Sequence, residues 1–167
     1  MKVVDVSEST SSTDPAQPLT AAEERAWRAF ARALVTVPRA LDADLERAQN
    51  MSLGEYMVLM NLSEACDRSL RMSEIAARGG LSPSRISRVV ESLVTEGLVR
   101  RDRSAKDGRV QIAVLTDAGF ARLRAVYPIH LASVRRNVVD HLDGVDLDAL
   151  ARAAARFAPA CPPPTDN

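Results

Sequence analysis

The order of elements between Ser69 and Gly119 leaves this chain few folds to choose from. Ser69-Leu70-Arg71 reads as a short strand, followed by a helix opened by Ser73 and closed at a Gly79-Gly80 turn. A second helix begins with Ser82 as its cap and Pro83 at the first helical position, where the missing N–H of proline costs nothing. It runs to Glu96 and stops at Gly97. An arginine-rich hairpin then spans Leu98 to Leu115. Leu98-Val99-Arg100-Arg101 leaves the helix, and Val110, Ile112 and Val114 alternate with Gln111 and Ala113 on the return. Between these strands Asp107-Gly108 is a hairpin-turn signal. Helix, tight turn, helix and basic hairpin, in that order, predict a winged helix-turn-helix, a unit that reads double-stranded DNA.

The flanking segments are helical. Thr20-Ala-Ala-Glu23 has the form of a capping box, and Trp27, Phe30, Leu34, Val37, Leu41, Leu45 and Ala48 follow at spacings of three and four. Pro38 falls inside this stripe and is expected to kink or break the helix near Val35 to Val37. Ser52-Leu-Gly-Glu55 is a second capping box, opening a helix to about Ala65 with Leu53, Tyr56, Leu59 and Met60 inward. After the hairpin, Thr116 or Asp117 caps a helix with Phe120, Leu123, Val126, Tyr127, Val134, Val138 and Leu142 on one side and a kink expected at Pro128. Asp146 opens a last helix beyond Gly144, with Leu147, Leu150, Ala154 and Phe157 apolar. These terminal stripes exceed what a small winged helix can cover, so a homodimer sharing them is the economical arrangement. The fold expected is mainly α with a small β-wing: a winged helix-turn-helix flanked by N- and C-terminal dimerisation helices. Its divisions are a disordered arm over 1–18, dimerisation helices over 19–50 and 117–157, a DNA-binding lobe over 51–116, and a flexible proline-rich tail over 158–167.

Net charge is zero over 167 residues, which by itself argues for no polyanionic partner. Its distribution argues otherwise. Residues 1–67 carry six Lys/Arg against eleven Asp/Glu, residues 68–111 ten against five, and residues 112–167 six against six. The basic excess is confined to the segment with the helix-turn-helix order, the footprint of a local phosphate-binding face.

In the second helix of the unit, Ile86, Val89, Val90 and Leu93 make one apolar face, while Ser84, Arg85, Ser87 and Arg88 lie away from it in the first turns. The early turns of such a helix enter the major groove, where arginine can bond guanine through two hydrogen bonds and small serines permit close approach. With the cap Ser82 these five are the expected recognition-helix contacts. In the hairpin, Arg101, Arg103, Lys106 and Arg109 are the expected wing contacts, and Asp102 and Asp107 are suited to hold arginine side chains in place.

The chain resembles the MarR family of bacterial transcriptional regulators over about residues 20–157. The resemblance is carried by Gly97-Leu98-Val99-Arg100-Arg101, Asp102, Asp107-Gly108-Arg109 and Leu115-Thr116-Asp117-Ala118-Gly119, with support from Met72-Ser73-Glu74-Ile75-Ala76 and Leu81-Ser82-Pro83-Ser84. It implies a triangular homodimer with interlocked terminal helices, two winged helices reading a pseudo-palindrome, Arg109 as the wing-tip minor-groove residue and Asp107 as its orienting partner. It also implies a cleft for a small aromatic or phenolic effector that releases DNA, for which Trp27, Phe30, Tyr56, Met57, Met60 and His130 are candidates by position.

Other chemistries have weaker footing. Cys66 and Cys161 form neither a disulfide framework nor a metal-ligand spacing, which suits a reducing cytoplasm. A redox-sensing regulator built on Cys66 would need a stabilised thiolate, and Glu64 and Asp67 beside it oppose one, with Arg68 nearby in favour. His130 and His141 stand eleven residues apart, too far to share an ion, so no metal and no cofactor is expected. No apolar run approaches the ~18–20 residues of a membrane span, and the N-terminus lacks the pattern of a secretory signal. No nucleophile–base pair, phosphate-cradling glycine loop or paired-carboxylate motif suggests an enzyme. A winged-helix protein-interaction module without DNA binding is the remaining rival, and it would not need Arg85, Arg88, Arg103 and Arg109.

Overall fold

A computed structural model of the chain describes residues 17–103 and 110–157. The helices are α1 (Ala21–Gln49), α2 (Leu53–Glu64), α3 (Met72–Gly79), α4 (Pro83–Thr95), α5 (Asp117–Asn137) and α6 (Leu147–Ala155); the strands are β1 (Ser69–Arg71), β2 (Val99–Arg103) and β3 (Gln111–Leu115). The expected arm over 1–18 (apart from its last two residues), the tail over 158–167 with Cys161, and the hairpin tip Ser104–Arg109 lie outside the described residues. Two compact units divide the chain, one ending at Leu34 and the other starting at Val35.

In the first unit the Thr20 capping box closes as its sequence requires. The Thr20 N–H donates to Glu23 Oε2 at 2.8 Å, and the Glu23 N–H donates to the Thr20 hydroxyl at 3.3 Å. Arg28 and Glu24 pair one turn apart at 2.6 Å. Trp27, Phe30 and Leu34, the start of the apolar stripe, are exposed.

The second unit holds the core. Its α2 starts from the Ser52–Glu55 capping box, and its first N–H, on Leu53, donates to Asp42 Oδ1 of α1 at 2.7 Å. Tyr56, Val58, Leu59 and Leu62 are all buried. The one-sided stripe read from the sequence was therefore too narrow: Leu53 and Met60 are only partly buried, while Val58 and Leu62 complete the core. The cause is position, because α2 touches α3, α4, α5, β1 and β3 and has little free surface. The strands form one antiparallel sheet in the order β1-β3-β2.

Two local expectations change. The helix read as opening at Ser73 starts one residue earlier, with Arg71 as its cap and the Arg71 N–H donating to Glu74 Oε2 at 2.7 Å. Pro38 does not break its helix, since α1 continues through it, and α5 likewise continues through Pro128. A proline removes one helical hydrogen bond, and the remaining bonds of the flanking turns carry the helix past it.

One such anchor joins α1 to α5. Asp44 Oδ2 accepts from the Ser133 hydroxyl at 2.6 Å and from Asn137 Nδ2 at 3.0 Å, and it also pairs with Arg136; Asp44 Oδ1 takes Arg47 at 3.0 Å. Ser133 is almost fully buried. The Ser133 hydroxyl above all, then Arg136, Arg47 and Asn137, hold the Asp44 carboxyl well below its ordinary range against the opposing effect of burial. A carboxyl depressed in the folded state stabilises the fold above its unfolded pKa, and that contribution is lost as pH falls towards the folded value. Asp44→Ala is expected to cost about 2 kcal/mol at pH 7. In urea unfolding, the gap between this variant and the wild type should narrow once the pH drops below about 4.

Candidate nucleic-acid interface

The turn between α3 and α4 is set by Gly80, whose φ of 59° is a left-handed conformation that suits glycine, and by the Leu81 N–H, which donates to the Ala76 carbonyl at 3.3 Å. The chain then enters α4 through Ser82, whose hydroxyl accepts the Arg85 N–H at 3.4 Å and lies 3.2 Å from the Ser84 hydroxyl, with Pro83 at the first helical position. Ile86, Val90 and Leu93 are at most 1% exposed, which fixes the rotation of the helix about its axis. Ser82, Ser84, Arg85, Ser87 and Arg88 all lie in the exposed class. The structure thus brings together on one surface the five recognition-helix residues singled out from the sequence.

The wing is seated on this helix by Arg101, a guanidinium nitrogen of which donates to the Ser87 main-chain carbonyl of α4 at 3.0 Å. Arg100 pairs with Asp102 along β2, so Asp102 does hold an arginine, the one two residues before it. Arg103 ends the strand and is exposed. Lys106, Asp107 and Arg109 fall in the segment outside the described residues.

Behind the wing, β3 hands over to α5 through a close approach that the sequence did not reveal as such. The Thr116 N–H donates to the Leu98 carbonyl at 3.1 Å; its hydroxyl lies 2.9 and 3.0 Å from the Gly97 and Leu98 carbonyls and accepts the Gly119 N–H at 3.0 Å. Gly119 is pressed onto the Leu98 carbonyl: a Cβ built on it would overlap that oxygen and stand 2.7 Å from Leu115 Cδ1.

A cavity of about 410 Å³ opens beside α4. Its walls are mainly apolar, including Pro38, Leu53, Met57, Val58, Ile75, Leu81 and Ile86, with Arg39, Asp42, Asn61 and Arg85 as polar groups. Asp42 is taken up by the Leu53 N–H, whereas Arg39 and Arg85 enter no ion pair among the described residues. Of the six effector candidates named from the sequence, only Met57 lines it. Tyr56 and His130 instead pack on each other, ring centroids 4.2 Å apart. Burial pushes the Tyr56 hydroxyl up and the His130 imidazole down; Tyr56 belongs to the core, whereas His130 is half-buried with its Nδ1 enclosed and without a hydrogen-bond partner among the described residues. Met60 is packed against the core, and Trp27 and Phe30 are exposed on α1. The signal missed was Arg85, which lines the cavity from the reading helix itself.

Cys66 is exposed, in a short 3-10 turn over Cys66–Arg68. The cation beside it is already engaged: Arg68 pairs with Asp117 at 3.1 Å and covers the Phe120 ring at 4.3 Å. Among the described residues no cluster of His, Cys, Asp and Glu could hold a metal ion, and no helix is long and apolar enough to cross a membrane.

Comparison with known proteins agrees with this geometry. Residues 49–110 match the profile of the MarR family. Sco3205 of Streptomyces coelicolor, a MarR family transcriptional regulator solved in complex with DNA, is 35% identical, with 87% of this chain and 91% of that one aligned and a TM-score of 0.79. This chain belongs to the MarR family. A second MarR regulator of Streptomyces coelicolor, AbsC, is also 35% identical, over 85% of this chain and 95% of its own, with a TM-score of 0.76. The HTH-type transcriptional repressor YetL of Bacillus subtilis is 28% identical over 95 residues, 57% of each protein, so the match spans little more than half of that curated relative. The MarR profile covers α2 through β2 and stops short of β3. The winged helix is therefore the part of this MarR-family chain with the most support.

Proposed function

We propose that this chain is a DNA-binding transcriptional regulator that acts as a homodimer on a pseudo-palindromic operator, as a repressor released by a small effector. The observation that carries the reading is α4: Ser84, Arg85, Ser87 and Arg88 face outward from a helix whose opposite side is locked in the core. Residues 51–116 then serve as the DNA-binding lobe, and 19–50 with 117–157 as dimerisation helices. Support for the dimer comes from large apolar side chains left exposed on these helices, among them Trp27, Leu34, Tyr127, Leu131, Leu147 and Leu150. That Sco3205 was solved with DNA supports the same partner here. The test is a mobility shift of the full chain on its own upstream intergenic DNA across a salt series, with random duplex as competitor. A competitor-resistant complex whose log affinity falls linearly with log salt supports the reading; no complex at low salt refutes it.

The cavity suits an effector with an apolar, aromatic body and one anionic group, because its walls are apolar and its two arginines lack carboxylate partners among the described residues. Arg85 belongs to both the cavity and the reading helix, so an anion seated there competes with DNA for one side chain. An aromatic carboxylate drawn from a panel should dissociate the DNA complex. Arg39→Ala should raise the concentration needed by about tenfold, the loss of one charge-assisted hydrogen bond, while leaving DNA affinity unchanged. Release at the same concentration would place the effector elsewhere.

A further inference from the structure

Arg101 stands among the arginines of the wing, and charge alone assigns it to a phosphate. Its placement argues for a different task. In the antiparallel register Val99 faces Leu115 and Arg101 faces Ala113, so these four side chains share one face of the sheet. Val99, Ala113 and Leu115 on that face are buried. Arg100 and Asp102 project from the other face and pair with each other. Arg101 lies on that same face but is itself exposed, where burial ends, and its guanidinium reaches across to the Ser87 carbonyl of α4 at 3.0 Å. It enters no ion pair among the described residues. Ser87 sits between Arg85 and Arg88, at the level of the exposed row of α4.

We infer that Arg101 is a positioning residue that sets the angle between the wing and the recognition helix, and that it makes no phosphate contact. The inference rests on the DNA-binding reading above. A winged helix grips DNA at two places, with the helix in the major groove and the wing on the neighbouring backbone or minor groove. Both fit a specific site only when their relative angle is held. The base of the hairpin is fixed by the buried Val99, Ala113 and Leu115, and Arg101 is the next residue of β2 outward on that face. A planar guanidinium hydrogen-bonded to a helix carbonyl resists a change of that angle.

The test uses the full chain, a duplex selected by the wild type from a random-sequence pool, and a random duplex of equal length. Arg101→Ala should weaken binding to the selected duplex by about tenfold. Affinity for the random duplex should change less than twofold, and the slope of log affinity against log salt should stay the same within half a unit. A phosphate-binding role would instead give parallel losses on both duplexes. With one phosphate released per protomer of a dimer, it would also make the slope shallower by about two units. That result overturns the inference, and so does unchanged binding to both. General destabilisation lowers the active fraction and leaves the ratio between the duplexes unmoved, so the ratio separates positioning from a folding defect. If the alanine variant melts below the assay temperature, Arg101→Gln is measured by the same criteria, since it keeps part of the aliphatic stem that covers the sheet. A wild type that enriches no duplex defeats the DNA-binding reading, an outcome distinct from any of these.

Discussion

Gly119→Ala should unfold much of this protein at temperatures the wild type tolerates. The added methyl would overlap the Leu98 carbonyl oxygen and crowd Leu115 Cδ1. A side chain could rotate away from such a clash; a backbone carbonyl that already accepts from Thr116 N–H cannot. Relief requires the start of α5 to move off Leu98, which would break the Thr116 N–H and hydroxyl bonds to the Leu98 carbonyl and loosen Leu98, Val99 and Leu115 in the core. Strain at the upper end of overpacking, about 3–4 kcal/mol, is the expected cost. For a chain of this size that lowers the melting temperature by roughly 8–15 °C. Circular dichroism melts of the two proteins would measure it, and a shift under 3 °C would mean that the junction gives way easily. Ala118→Gly, next to it on the exposed side of the same turn, is the control for helix propensity, at about 1 kcal/mol.

The second large effect concerns binding and should leave the fold intact. Arg85 and Arg88 are exposed and lie in the first turns of α4, so replacing both by alanine leaves the core as it is. If each bonds one base or phosphate, a dimer gives up four such interactions, and at about 1 kcal/mol apiece affinity for a specific site falls roughly a thousandfold. The melting temperature should be unchanged within about 2 °C, the range of surface substitutions. Titration of a labelled duplex with each protein gives the answer. Wild-type affinity in the double variant would remove α4 from the interface, whatever the wing does. The single variants divide the roles further: removing a base-reading group relaxes preference at one position, while removing a phosphate-binding group weakens all sequences alike.

Much of this was legible in the residues because the signals were local. Ser82-Pro83, Gly79-Gly80, Ser52 with Glu55, and the alternation from Val110 to Val114 each specify a cap, turn or strand within a few positions, and all appear where the sequence places them. The outward row on α4 was readable for the same reason: its apolar opposite face has a clean helical period. What escaped depends on residues far apart in the chain. Asp44 gives no sign that Ser133 and Asn137 will meet it, and a glycine in a helix start does not announce that a carbonyl from Leu98 will press on it. The cavity was sought among aromatic and methionine side chains, but Tyr56 and His130 pack ring against ring and do not line it. The cavity forms where α1, α2, α3 and α4 leave a gap, and that gap belongs to the packing and to no single stripe. The break allowed for at Pro38 does not occur, because a proline removes one hydrogen bond and the helix can continue past it.

The central claim is that two copies of α4 read DNA as a symmetric pair. The most direct measurement is selection of bound duplexes from a random-sequence pool by the full chain, with sequencing of the recovered pool and the mass of the complex determined by light scattering. The account predicts an inverted repeat whose half-sites are centred about one helical turn, 10–10.5 base pairs, or a multiple of it apart, bound by two chains. A single unsymmetric half-site bound by one chain, or a recovered pool no different from the starting one, would contradict it.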